Sequence, residues 1–474
     1  MSDFDLHALA IPSTARSIRR WFALPVILAG TFMVTLDFFI VNVAIPSIQR
    51  DLHADTAELE WVVAGYGLAY AALLIIGGRL GDLRGRRRIF IAGLAAFTLA
   101  SAACGFAPDA TVLIAARIAQ GIGAALLAPQ VLAVLGTLYT GADRAHAFAA
   151  YGVVLGIAAA SGQMIGGLLI SADILGLGWR ACFLVNIPIG VVALLLSVVA
   201  VPESRAASRG RLDLPGAALV TLSIAMLLLP LIGGRAAGWS PWTWFCFAAA
   251  AIFLAAFTLQ QRRCAAIGAA PLVDPALFQV RGFRVGLLAV LALFSGVASF
   301  FFVLALYLQQ GRGLAPLASG LVFTTTALAF SVTSLTAARI NRWLGRATLP
   351  VGALGMAIGL GALRLIVGWN GVGGPLFPLI AALLVDGAGM GLVMAPLVAT
   401  VLAGMPAHHA GAAAGVLATA QQVANALGVA LISLAFFGAL EHAGCAAAFT
   451  ASLNGLVALA LVLAVLVWRV QRRP

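Results

Sequence analysis

From Trp21 to the C-terminus the chain reads as apolar blocks of about 20 residues, separated by short polar or Gly/Pro-rich breaks. Such blocks predict membrane-spanning helices, because inside lipid only helices and closed barrels satisfy every backbone hydrogen bond. Fourteen spans are predicted. Six lie near 22–47, 60–80, 89–107, 110–139, 147–171 and 181–201, two near 214–233 and 241–260, and six near 283–309, 316–338, 348–369, 374–399, 411–438 and 450–468. The predicted fold is an all-α integral membrane protein with two pseudo-symmetric six-helix bundles and two extra central helices. The expected division is 1–205 for the N-terminal bundle, 206–265 for the linking pair and 266–474 for the C-terminal bundle.

Composition sharpens this reading. Of 474 residues 62% are hydrophobic and 9% charged, where a soluble domain carries about 25% charged residues. The formal net charge of +12 would suit nucleic acid, but its placement points to a bilayer instead. With both termini cytoplasmic, 22 of the 28 basic residues, all arginine, fall in cytoplasmic segments. One missed or invented helix in mid-chain would destroy that asymmetry. The expected location is therefore the bacterial cell membrane, with no nucleic-acid partner. Arg16, Arg19 and Arg20 precede the first span without a small-residue cleavage site, so that span reads as a retained helix.

Several chemistries find no support. The five cysteines are scattered, and His408 and His409 stand alone in a loop, so no metal site is expected. The chain has no lysine to complete a phosphate-binding P-loop, so neither ATP nor another cofactor is expected. No His/Asp/Ser constellation converges within the spans, which disfavours a membrane enzyme, and the duplicated halves disfavour a channel.

The loop from Gly78 to Phe90 has a degraded echo from Ala338 to Arg346, with Gly85 matching Gly345, Arg79 matching Arg339 and Arg86 matching Arg346. Each copy joins the second and third helices of its group in the same orientation, as parallel repeats about an axis normal to the membrane require.

Ionisable residues within spans are costly, about 2.5–3.5 kcal/mol on insertion scales, and so are kept for a task or paired. Counting 1.5 Å per residue puts Asp37 about 22 Å from the inner face and Arg117 about 10 Å below the outer one, at similar depth. An exchangeable proton on Asp37, switched by Arg117, is one reading; a permanent ion pair is the other. Asp386 reads as a second proton site or cation contact, or as the partner of Arg364. The Gly387-Ala-Gly389-Met-Gly391 run after it follows no strand, so it reads as helix packing and not as a dinucleotide site. Small-residue stripes with amides run through Gly152, Gly156, Ala159, Gln163 and Gly167, and through Gly411, Gly415, Ala418, Gln422 and Asn425. These serve helix packing, substrate contact or both. Trp61 and Tyr66 read as interface anchors.

Gly78, Leu80, Asp82, Gly85, Arg86 and Arg87 match the signature loop G-x-L-a-D-r-x-G-r-k, and Arg117-Ile-Ala-Gln-Gly-Ile-Gly123 looks like a fourth-helix R-x-x-Q-G-x-G motif. In these the chain resembles the major facilitator superfamily. Leu36-Asp-Phe-Phe-Ile-Val-Asn-Val-Ala-Ile-Pro46, with Trp179, Arg180, Phe183, Asn186, Pro188 and Gly190, is similar to its fourteen-helix drug:proton antiporter branch, the EmrB/QacA type. Two departures stand out: Phe39 replaces a usual Thr, and Gln163 replaces the Pro of the exporter motif G-P-x-x-G-G.

The resemblance implies a proton-coupled efflux transporter, working by alternating access on small lipophilic or cationic compounds. It places proton coupling at Asp37 and Arg117, with Asp386 as the addition read above, and a conformational gate at Gly78, Asp82, Gly85, Arg86 and Arg87. Gln120, Gln163, Gln422 and Asn425 are assigned to the substrate pathway. A dedicated exporter or importer of one metabolite or antibiotic is the alternative, and participation of a periplasmic adaptor and an outer-membrane channel stays open.

Overall fold

The computed structural model describes residues 13–471 except 206–212, 235–236, 268–270, 404 and 406–409. The boundary expected at 205/206 therefore meets undescribed residues, and His408 and His409 lie outside the described ones. The helices are α1 (Ser13–Leu52), α2 (Thr56–Arg84), α3 (Arg86–Gly105), α4 (Ala110–Leu138), α5 (Gly141–Ala172) and α6 (Gly178–Ala200). After these come α7 (Leu214–Gly233), α8 (Pro241–Ala266), α9 (Arg281–Leu306), α10 (Pro316–Leu344), α11 (Thr348–Asn370) and α12 (Phe377–Ala403).

Thirteen helices among the described residues are long and apolar enough to cross a membrane. The last candidate has 59 residues, about 88 Å of helix against a core of about 30 Å. It is broken at Gly444, whose φ of 78° is open to glycine and strained for other residues. Beyond the break Gly455 packs on Ile432, so the chain folds back on itself. The two arms, α13 (410–443) and α14 (445–471), complete the fourteen expected spans.

Polar residues at the turns set where helices begin. Asp55 caps α2 by accepting from the Glu58 backbone N–H at 2.8 Å, while Glu58 accepts from the Asp55 N–H at 2.9 Å. Asp109 and Asp213 cap α4 and α7 in the same way. Tyr139, just past α4, donates to the Arg20 carbonyl at 2.5 Å. Burial pushes its phenol up to about 12, so it stays a donor at any working pH and ties α1 to α4.

The linking pair α7 and α8 is joined by Ser223 donating to the Ala250 carbonyl. Val220, Ile224 and Leu228 of α7 pack with Ala71 and Ala72 of α2 and with Ala426 and Ala430 of α13, so the pair leans on both bundles.

The bundles themselves meet unevenly. A π-helical turn, Tyr307–Gly311, ends α9 and carries Gln309 and Gln310 to α1. Gln309 donates to the Val43 carbonyl at 3.0 Å and Gln310 to Gln49 Oε1 at 2.8 Å. Along the seam of α5 with α10, a Cβ on Gly167 would stand 2.5 Å from the Pro316 carbonyl. On Gly156 it would stand 3.9 Å from Phe330, and on Gly152 it would meet nothing within 4 Å. Across the other seam, a Cβ on Gly67 of α2 would reach Ala426 at 3.4 Å, whereas one on Gly415 meets nothing. The bundles are thus latched at the end where α1 finishes and splayed at the end carrying the Gly85 loop.

Candidate functional site

Asp37 and Arg117 come together as their depths predict. Asp37 is 0% and Arg117 1% exposed, and Arg117 Nη1 donates to Asp37 Oδ2 at 2.5 Å. The same nitrogen reaches Gln120 Oε1 at 2.6 Å, and Nε donates to the Val62 carbonyl at 3.0 Å. The other Asp37 oxygen accepts from Gln120 Nε2 at 2.8 Å and from Asn186 Nδ2 at 3.3 Å. Ser101 Oγ closes the ring, accepting from Gln120 at 2.8 Å and from Asn186 at 3.0 Å. Five helices, α1, α2, α3, α4 and α6, therefore hold one charge pair inside the N-terminal bundle.

Such a pair survives burial only when its remaining hydrogen-bonding capacity is met, and here the carboxylate has three donors. Tyr66 departs from its expected place at an interface. It is buried, with the Arg117 guanidinium 4.4 Å above its ring, and Phe183 lies under the same cation at 5.6 Å.

Gln120 lies within this network and not on the surface between bundles. Gln163 is buried where α5 meets α10, its backbone carbonyl 2.6 Å from a Cβ built on Gly320, and neither side-chain polar atom has a partner. Gln422 is half-buried on α13 and accepts from Asn425 Nδ2 at 3.3 Å. Asp386, 1% exposed, stands apart from all of these, and its carboxyl oxygens have no partner. The pairing with Arg364 is corrected: Arg364 is exposed and donates to Asn454, facing away from the bundle interior.

At the loop, Asp82 accepts from Arg86 at 2.9 Å, one helical turn on. Gly85 has φ 113° and joins α2 to α3 with no intervening residue. Sequence reasoning missed Glu203, just past α6. Its Oε1 accepts from the Arg87 N–H at 3.1 Å, and Oε2 lies 3.9 Å from Arg87 Nε and 3.8 Å from Arg88 Nε. A carboxylate thus caps the positive end of α3, and a Cβ on Gly85 would stand 2.6 Å from it. The sequence signal was Pro202-Glu203-Ser204-Arg205 directly after an apolar span. Gly78 itself has room, its Cβ position lying 3.6 Å from Pro129. In the second copy Gly345 keeps a positive φ of 51°, but nothing stands within 4 Å of its Cβ position.

Glu203→Ala is expected to cost about 1 kcal/mol, the value of a lost helix cap, and to loosen the start of α3. Limited trypsin digestion should then cut after Arg86–Arg88 faster than in wild type; unchanged cleavage would remove Glu203 from the gate.

A buried charge pair in one bundle, a glycine-hinged basic loop and two bundles joined at one end are the parts of an alternating-access transporter. Residues 27–429 match the model of the Major Facilitator Superfamily. The chain belongs to the Major Facilitator Superfamily. A probable actinorhodin transporter of Streptomyces coelicolor is 37% identical over 89% of this chain and 73% of its own length. The puromycin resistance protein pur8 of Streptomyces alboniger is 37% identical over 98% and 94%. The cephamycin export protein CmcT of Amycolatopsis lactamdurans is 38% identical over 85% and 82%. Among solved structures, a POT family transporter in complex with a thioalcohol-conjugated peptide superposes with TM-score 0.69 over 94% of this chain and 96% of that one, at 13% identity. The proton:xylose symporter XylE gives 0.64 over 96% of each, at 15% identity. These likenesses show the fold. The superfamily member described here is a multi-pass cell membrane protein and an efflux transporter.

Proposed function

We propose that this transporter belongs to the fourteen-helix drug:proton antiporter branch and exports small lipophilic or cationic compounds in exchange for protons. The observation that carries the reading is the sealed Asp37–Arg117 pair. A proton arriving on Asp37 removes the charge that holds Arg117, weakens the ring through Gln120, Ser101 and Asn186, and lets α1 and α4 re-pack. The fourteenth pass made at Gly444 and the pair α7–α8 between the bundles support the branch.

In this reading the Gly85 end faces the cytoplasm, both termini lie there, and the latched end faces outward, so the structure is inward-open. Gln163, with a free amide at the α5–α10 seam, and Gln422 and Asn425, half-buried on α13, are the pathway contacts. Asp82, Arg86 and Glu203 hold the Gly85 loop as the inner gate. One proton crossing 100 mV supplies about 2.3 kcal/mol, enough for a roughly fiftyfold gradient of a neutral compound at one-to-one exchange.

The test is accumulation of a fluorescent lipophilic cation in an efflux-deficient bacterium expressing wild type or Asp37→Asn, each with and without a protonophore. Wild type should lower accumulation, and both the mutation and the protonophore should abolish that effect at equal expression. Relatives named for single compounds, actinorhodin and cephamycin, favour a second reading, dedicated export of one secondary metabolite. An inert wild type in this assay would select it.

A further inference from the structure

The two bundles are related residue by residue through their glycine contacts. A Cβ on Gly121 of α4 would stand 2.4 Å from the Tyr66 carbonyl of α2, and one on Gly387 of α12 stands 2.3 Å from the Thr326 carbonyl of α10. Gly123 meets the backbone nitrogen of Phe97 at 2.6 Å, as Gly389 meets that of Met356 at 2.6 Å. Gly162 of α5 faces the Leu36 carbonyl, as Gly428 of α13 faces that of Ser295. The contact of Gly105 with Leu184 is matched by the hydrogen bond of Arg364 with Asn454.

These pairs fix the rest of the correspondence. Asp37 maps to Gly296, Ser101 to Leu360, Arg117 to Leu383, Asn186 to Leu456, and Gln120 to Asp386. Gly296, Leu360, Asp386 and Leu456 indeed line one crevice inside the C-terminal bundle. Where the N-terminal bundle has a satisfied charge network, its twin has one acid facing Phe300, Met356 and Met390, with open space at Gly296.

A carboxylate with no donor in an apolar surround is far costlier than the neutral acid, so the group the crevice accommodates is the carboxylic acid. The crevice supplies no second oxygen ligand from a side chain, which excludes a metal cation that needs six or more. At this level α9, α10 and α14 present no titratable group, and Arg364 of α11 turns outward to Asn454.

We infer that the crevice around Asp386 is a second proton site, separate from the Asp37 network, so that a full transport cycle moves two protons. Its stoichiometric part rests on the proposed proton-coupled export, whereas proton binding at Asp386 does not. The proton adds to a carboxylate oxygen and leaves by the same oxygen.

The experiment has two readouts on purified protein. Infrared difference spectra between acid and alkaline pH should show a carboxylic C=O stretch that persists in Asp37→Asn and disappears in Asp386→Asn. Asp386→Leu, which suits the apolar surround, serves if the asparagine variant does not fold. A spectrum that keeps this band in the Asp386 variants overturns the site. In proteoliposomes loaded with a fluorescent lipophilic cation, with the membrane voltage clamped at zero and the proton gradient varied, the steady-state dye gradient should follow the square of the proton gradient in wild type and its first power in Asp386→Asn. First-power behaviour in wild type overturns the two-proton cycle. Absence of dye transport with the infrared band intact would count against the export reading alone.

Discussion

Arg117→Met is expected to destabilise the folded protein by about 3–5 kcal/mol, because it leaves the Asp37 carboxyl buried without the cation it pairs with. The signature of that cause is recovery in the double variant Asp37→Leu/Arg117→Met. Replacing both partners of a buried pair by apolar groups is close to neutral, whereas removing one is not. Thermal unfolding followed by fluorescence-detected size exclusion should show a large drop for the single variant and a small one for the double. Proton-driven export should be lost in both. Equal stability of single and double variants would mean that Arg117 acts through packing on Tyr66 and Phe183 and not through its charge.

A second large effect is expected at a glycine beside the signature loop. A Cβ on Gly77 would stand 2.0 Å from the Ala125 carbonyl oxygen, a backbone atom of α4 that cannot swing aside. The carbonyl of Gly77 also accepts from Gln130 Nε2 at 2.8 Å, so α2 and α4 are fixed together at this point. Gly77→Val must push two helices apart and should cost more than the ~1–3 kcal/mol typical of overpacking, with little folded protein recovered from the membrane. Gly78→Ala places its methyl 3.6 Å from Pro129 and should give near-normal yield. Reversed yields would show that the α2–α4 contact relaxes easily.

The sequence shows the span count, the order of the bundles and the duplicated loop, because lipid forces apolar length and arginine asymmetry onto every pass. It also shows the pairing of Asp37 with Arg117, since depth follows from 1.5 Å per residue along straight helices. What depth does not carry is rotation about each helix axis. Gln120 is one turn from Arg117, and its position inside the bundle rather than along the pathway depends on which way α4 faces. Arg364 shares a bundle with Asp386 yet faces outward for the same reason. Ser101 and Glu203 escape because each is an ordinary residue whose meaning comes from a partner: Ser101 accepts from Gln120 and Asn186, and Glu203 meets α3 from the far end of α6.

The charge ring of Asp37 is enclosed by helices of one bundle, while the seams between the bundles run outside it. Cargo lying between the bundles therefore does not have to neutralise Asp37 in order to leave. On the proposed proton exchange, the Asp37 ring sets no requirement on the sign of the cargo, and the electrical bookkeeping falls to the cargo. In the two-proton cycle inferred above, exchanging a divalent cation for two protons moves no net charge and draws only on the pH difference. Expelling a neutral molecule in the same exchange adds the membrane voltage for each proton, about 2.3 kcal/mol per proton per 100 mV. A single transporter would thus be voltage-blind for one compound and voltage-driven for the next.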